Sequence, residues 1–394
     1  MTLTEIFRPR SLHALLAVAL AAVLGSCGGG VGSGGTGSFA SGPITGFGSV
    51  IVGGVRYDDG TAAVEDADGG RRSRDELRLG MTVEIESSAI STDATGSSAS
   101  ARSIRFESEL AGLVGAVDVA GGSFTLLGQR VAVDASTVFD DRLEGGLGLL
   151  RVGQALEVYA VYDTAGARYR ATRVEPSTLA TGLRLRGPLA QVDLGAQTLR
   201  IGSAVYSYAG ASAVPGGLAA GQFVRMRLSL VVLPTARWVV QSFATALQTP
   251  PDADGVKVEG LISAFTSERV FSVGGRPVDA SVASFPSGTA GLAAGVRVVV
   301  EGTLRSGTLR ASKVQIVSDQ EVRDRGFELN GAISAVNSAQ ATIVLRGVTV
   351  STARSDLRFD NGTPANLVVG AVVEVRGGLA ADRRTLEAVR IRFR

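Results

Sequence analysis

The chain repeats itself with a period of about 70 residues, and a repeat of that length limits it to a series of small, similar folding units. The first recurring element is a glycine followed by spaced apolar residues: Gly42, Ile44 and Phe47; Gly112, Val114 and Val117; Gly187, Leu189 and Val192; Gly260, Ile262 and Phe265; Gly331, Ile333 and Val336. These glycines are separated by 70, 75, 73 and 71 residues. An alternating run ending in a glycine turn comes next, as in Val50-Ile51-Val52-Gly53-Gly54 and Phe271-Ser272-Val273-Gly274-Gly275. Glycine supplies the positive φ angles of a tight hairpin. Each copy then carries Leu-x-x-Gly, beginning at Leu77, Leu150, Leu218, Leu292 and Leu367, which reads as one helical turn stopped by glycine. Ser73 with Glu76 matches a capping box, and Pro364 after Thr363 suits a first helical position. Alternating strands follow, such as Val83-Glu84-Ile85-Glu86 and Val373-Glu374-Val375-Arg376, with one apolar and one wet face. A last strand closes each copy at Ala101, Ala171, Gln241, Ala311 and Ala388.

Five strands with a helical turn before the fourth predict an all-β chain of about five tandem small OB-like five-stranded barrels. A helix-poor SH3-like barrel is the competing topology. The expected units are 42–108, 109–178, 179–248, 256–318 and 327–394, preceded by a signal peptide over 1–26 and a flexible tether over 27–41. A unit of this size buries only about 60% of its unfolded surface, so each copy should lean on its neighbours. Short connectors predict a semi-rigid array.

The first residues read as an address. Arg8 and Arg10 precede an apolar core over 14–24, too short for the roughly 20 residues that span a bilayer but right for a secretory leader. Leu24-Gly25-Ser26-Cys27 then resembles a bacterial lipoprotein signal, which implies acylation of Cys27 and a membrane partner through that anchor. At about 0.8 kcal/mol per buried methylene, two or three acyl chains hold permanently. The glycine and serine run over 28–41 should be a slack leash with a reach of about 20 Å. Gly28 after the cysteine points, within the lipoprotein resemblance, to the outer membrane, with the protein facing the periplasm or the surface.

Scarce residues exclude chemistry. His13 is the single histidine and Cys27 the single cysteine, both in the leader region. A processed chain therefore has no Ser-His-Asp or Cys-His machinery, no His or Cys zinc site, no haem ligand of either kind and no internal disulfide. No catalytic residue, cofactor or metal site is expected. Basic and acidic residues balance at 39 against 37, so composition creates no field for polyanions.

Several residues nevertheless warrant testing. Asp66-Ala67-Asp68-Gly69 and Asp252-Ala253-Asp254-Gly255 place carboxylates in glycine-bent loops, yet neither has the further ligands of a calcium loop; solvated turns are expected, as at Asp58-Asp59-Gly60. Arginine outnumbers lysine 37 to 2 and alternates in Arg184-x-Arg186, Arg225-x-Arg227 and Arg390-x-Arg392-x-Arg394. Alternate strand residues share a face, so these are either cationic stripes for phosphate or carboxylate, or solvated faces with glutamate neighbours; the second is preferred, and no nucleic-acid partner is expected. Tyr159, Tyr162, Tyr169, Tyr206, Tyr208 and Trp238 offer sugar-stacking faces, but aromatics on strands more often pack a core. The Arg71-Arg72-Ser73-Arg74 cluster reads as solvated surface.

The first repeat also carries Gly42-x-Ile44-x-Gly46-Phe47-Gly48-Ser49-Val50-x-Val52-x-Gly54-x-x-Tyr57, which resembles the opening of the bacterial domain-of-unknown-function family 5666, found in tandem in secreted and lipid-anchored proteins. Gly53 stands where that family commonly has asparagine before the hairpin glycine. Repeats two to five keep the glycine and apolar framework only. The resemblance implies small β-barrels and no established activity. The resulting expectation is a lipid-anchored envelope protein acting as a non-enzymatic binding or structural module, with an envelope glycan or protein as partner. The alternative is a carbohydrate-active enzyme using paired carboxylates, which needs no histidine.

Overall fold

The computed structural model describes residues 37–94, 96–180, 182–232, 236–244 and 250–394. The leader, His13, Cys27 and the tether up to residue 36 lie outside the described residues. The unit from Thr36 to Arg394 is compact and holds five barrels.

Barrel 2 shows the common plan. Its strands are Leu110–Asp118, Ser123–Leu126, Gln129–Ala132, Ala155–Asp163 and Arg168–Pro176. The first pairs antiparallel with the second and fourth, the second with the third, and the fourth with the fifth, whereas the third runs parallel to the fifth. The order 1-2-3-5-4-1 closes on itself. A parallel contact between strands three and five is a Greek-key crossing, which an all-antiparallel SH3-like meander lacks, so the barrels have OB connectivity. Barrels 1, 4 and 5 close the same way, with parallel pairs Val55↔Ser97, Val278↔Leu309 and Val350↔Leu386. In barrel 3 the first strand is split into Leu183–Pro188 and Gln191–Asp193, and Tyr206↔Trp238 is the parallel pair.

Local chemistry explains the plan. The hairpin between strands two and three is a two-residue turn with both φ positive: 58° and 78° at Gly53 and Gly54, 54° and 76° at Leu127 and Gly128. These are the angles of a type I′ turn, whose twist matches the strands it joins. In all five barrels the pairing of strands four and five shifts register at a bulge, for example between Tyr159 and Ala160. Such bulges bend the strands enough to close a narrow barrel. Ser73 caps the single turn Arg74–Glu76 with the expected capping box, and Pro364 opens the turn Pro364–Asn366. Barrel 2 has its turn at Gly146–Leu149. Barrels 3 and 4 have irregular turns there, because Gly216, Gly217, Gly288 and Gly291 favour open backbone over helix.

Two segments differ from the expectation. Residues 37–41, assigned to the tether by composition, belong to the strand Gly37–Phe47: its backbone is satisfied on one side by Thr82–Ser88 and on the other, in parallel, by Ala253–Ser267. Phe39 is buried there. The connector before barrel 5 forms a short helix, α1 (Asp319–Arg325). Ser318 and Glu321 cap it reciprocally, with Ser318 N–H donating to the carboxylate at 2.7 Å and Glu321 N–H to the hydroxyl at 3.1 Å.

The barrels do not follow one another as beads. Barrel 1 extends its sheet into barrel 4 through Ser38↔Gly255 and into barrel 5 through Gly46↔Glu328, while barrels 2 and 3 join at Leu110↔Leu185. The apolar core follows the same partition. One cluster runs through barrels 2 and 3, and a second through barrels 1 and 5 with Val138 and Tyr159 of barrel 2. A third fills barrel 4 around Phe39 of barrel 1.

Candidate functional site

Barrels 1 and 2 are joined by only three residues, Glu107, Ser108 and Glu109, between strands ending at Phe106 and starting at Leu110. Barrel 3 grips this connector. Its first and fourth strands pair Arg184↔Arg227 and Arg186↔Arg225, which brings both alternating arginine pairs onto one face. Arg186 Nη1 donates to Glu109 Oε1 at 3.2 Å and Arg184 Nη2 to Glu157 Oε1 at 2.7 Å. Arg225 binds Glu107 through Nε and Asp68 Oδ1 through Nη1, the latter at 2.8 Å, and Arg227 reaches Asp68 Oδ2 at 3.2 Å. The cationic stripe is thus an inter-barrel clamp.

Behind the clamp lies a cavity of about 120 Å³ walled by barrels 1 to 4. Glu84, Glu107, Glu109 and Glu259 face Arg105, Arg186 and Arg276 across it. Glu109 is only 6% exposed. Its Oε2 accepts from Ala160 N–H at 2.8 Å and from Thr82 Oγ1 at 3.3 Å. Burial pushes its carboxyl up to about 7, with Arg186 and the Ala160 amide opposing and Glu107 adding to the rise. Burial also raises Glu107, against the pull of Arg225. Arg276 is buried over the Phe39 ring at 4.9 Å and donates to Glu84 at 3.2 Å; its desolvation lowers its own value. Chemically this is a carboxyl that exchanges its proton near neutrality beside guanidinium-held partners. Nothing in the local sequence singles out the connector, whose acids become a cluster only when four barrels converge.

The residues singled out in the sequence have structural roles. Asp66 Oδ1 accepts from the amides of Asp68 and Gly70, as a turn aspartate does. Asp252 accepts from Ser306 N–H at 2.8 Å just before the strand that begins at Ala253, and Asp254, within that strand, pairs with Arg305, so this segment is not the solvated turn expected. Asp58 accepts from Gly60 N–H. Arg390 and Arg392 both meet Asp360, and Arg394 meets Glu374. Arg72 pairs with Glu76 and Asp66 and lies over Phe106. Tyr159, Tyr162, Tyr169, Tyr206 and Tyr208 are buried, so their rings pack rather than present themselves, and Trp238 is half-buried. Tyr206 Oη donates to Leu127 O at 2.7 Å and accepts from Gln129 Nε2 at 2.7 Å, sewing barrel 3 to barrel 2.

Comparison with known proteins agrees with this architecture. Residues 111–175, 259–315 and 330–392 match the family described as "Domain of unknown function (DUF5666)", and these segments are barrels 2, 4 and 5. The opening motif in barrel 1 lies outside the matched segments. No curated protein matches the chain. Among solved structures, "drosophila Unr CSD456" is 14% identical, with 54% of this chain and 98% of that one covered and a TM-score of 0.15. A multidomain protein with nucleic acid binding domains from Streptococcus pneumoniae is 10% identical, covering 52% and 72%, with a TM-score of 0.12. Three of the five barrels thus match the DUF5666 family model.

Proposed function

We propose that the chain is a lipid-anchored cell-envelope protein whose five-barrel body is a non-enzymatic binding or structural module, held at the outer membrane and facing the periplasm or the surface. The observation that carries this reading is Leu24-Gly25-Ser26-Cys27 directly after an apolar run and directly before glycine and serine. Acylation at Cys27 would leave only residues 28–36 between the lipid and the first strand, which begins at Gly37. At roughly 5–6 Å times the square root of the residue number, that leash reaches about 17 Å, so the body would stand close to the bilayer. Replacing Cys27 with serine is expected to move the protein from the membrane to the soluble fraction and to abolish incorporation of labelled fatty acid. Unchanged partitioning and labelling would defeat the anchor.

A carboxylate-dependent carbohydrate-active enzyme is the second reading, favoured by one observation: Glu109, raised to about 7, shares a cavity with Glu107. Two carboxyl groups in such a relation suit general acid chemistry. The volume of about 120 Å³ weighs against it, because small-molecule sites usually start at about 300 Å³. Release of reducing ends from envelope glycans by the purified protein would establish this reading over the first.

A further inference from the structure

We propose that the outer face of barrel 5 is a contact surface for an anionic lipid bilayer. Its strands set three arginines side by side: Arg358 stands opposite Arg390, and Arg390 opposite Arg376. Neighbouring strands lie about 5 Å apart, and like charges placed directly opposite each other destabilise a sheet. This inference goes beyond the anchor at Cys27 and does not rest on it.

The other repeats show that this row is peculiar to barrel 5. Barrel 1 has Ala63, Ser103 and Glu86 at the same three positions, and barrel 3 has Ser212, Ser242 and Arg227. Barrel 4 has Ser284, Lys313 and Glu301, the last two neutralising each other at 3.5 Å. Barrel 2 has Val138, Arg173 and Tyr159, all buried: Val138 and Tyr159 belong to the core shared with barrels 1 and 5, and Arg173 donates to Leu79 O of barrel 1. The row is thus a position where a barrel of this kind is docked upon, and in barrel 5 it carries cations in place of an apolar surface.

Charge on this face is layered, with the cations outermost. Asp360 serves Arg390 and Arg392, Glu374 serves Arg376 and Arg394, and Glu328 serves Arg376 and Arg56. Arg358 makes no ion pair among the described residues. The side chains of Arg376 and Arg394 are 49% and 50% exposed, whereas those of Glu328 and Glu374 are 16% and 5% exposed. Solvent therefore meets guanidinium groups lying over covered carboxylates. Apolar surface adjoins them: Val368, Val369 and Val372 are exposed, and Val372 stands next to Arg394, whose N–H donates to its carbonyl at 3.1 Å. Single exposed valines are ordinary, but a group at the margin of a cationic face suits a bilayer, whose phosphates take the guanidinium groups while the acyl boundary takes the side chains. A dissolved polyanion would use the arginines and leave the valines in water.

The test is co-sedimentation of the full-length Cys27→Ser protein with vesicles of phosphatidylcholine, alone or with about 30% phosphatidylglycerol, in about 0.1 M salt. The neutral vesicles measure what the leader binds by itself. Anionic vesicles should bind at least about tenfold more tightly, and about 0.5 M salt should remove most of the difference. Arg358→Gln with Arg390→Gln should weaken anionic binding by about fivefold for each arginine, and Val368→Ser with Val369→Ser by about fivefold together. Asp360 keeps Arg392 and both valines are exposed, so neither pair of substitutions disturbs the fold. Arg151→Gln, at an exposed arginine of barrel 2, should leave binding unaltered. Equal binding to the two kinds of vesicle, unaltered binding in the arginine pair, or an equal loss in Arg151→Gln would overturn the proposal. Unaltered binding in the valine pair, with polygalacturonate in solution bound as tightly as the anionic vesicles, would overturn it in favour of an acidic glycan. The protein under test cannot be acylated at position 27, so none of these results bears on the anchor.

Discussion

Glu109 shows how a single side chain acquires its properties from distant parts of the chain. Its carboxyl is pushed up to about 7 by burial, whereas an unfolded chain releases the same proton near the ordinary value of 4.5. Between those values the folded protein holds a proton that the unfolded chain has lost, so stability must fall as pH rises from about 4.5 to about 7 and then level off. The gap corresponds to on the order of 3 kcal/mol. Glu107 and Glu175, also raised by burial, act in the same direction. Glu109→Gln removes the largest contribution, and the loss of stability between pH 5 and pH 8, followed by urea unfolding, should shrink by that order. An equal loss in the variant would show that Glu109 does not titrate in this range. None of this was legible locally, because the environment of Glu109 is assembled by Thr82, Ala160 and Arg186, none of them its neighbours in the chain. What a residue does locally was easier to read: the turn glycines and the capping residues Ser73 and Pro364 act within a few positions of themselves.

Strands and their order were largely readable for the same reason. Alternation, hairpin glycines and the repeat set each barrel's five strands, whereas the parallel third-to-fifth pairing that separates an OB barrel from an SH3-like one is settled only by the structure. The partner of each barrel was not readable. The arginines that join elements find acids 27 positions away at Glu157, 118 at Glu107 and 192 at Glu84, and no local pattern chooses among them. Even composition misled at residues 37–41, where a glycine and serine run that reads as a tether becomes a strand once two sheets offer their edges. Arg173, on the fifth strand of barrel 2, shows what such a joint is worth. It is buried, binds Glu175 at 2.9 Å and Asp140 at 2.7 Å, and donates to Leu79 O of barrel 1 at 3.3 Å. Arg173→Met leaves half-buried Glu175 without its cation and Asp140 with Arg142 alone, and denaturant unfolding should record a loss of about 3–5 kcal/mol. A loss below about 1 kcal/mol would mean that the strand is held by its apolar face alone.

At the scale of the whole molecule, the expected semi-rigid row gives way to a body in which barrels far apart in sequence share sheets and cores. Barrel 1 pairs with barrels 4 and 5 although its connector leads to barrel 2, and its cluster of buried side chains continues into barrel 5. Small barrels that bury too little surface alone gain a common interior in this way, and the abundance of arginine follows from the need to close polar joints between them. The direct test is the radius of gyration in solution, by small-angle X-ray scattering, of the polypeptide from Thr36 to Arg394. A compact body of that length should measure about 20 Å, and five barrels strung in a row about 40 Å. A value near 20 Å is the prediction; one near 40 Å would contradict the fused assembly on which the clamp and the cavity behind it depend.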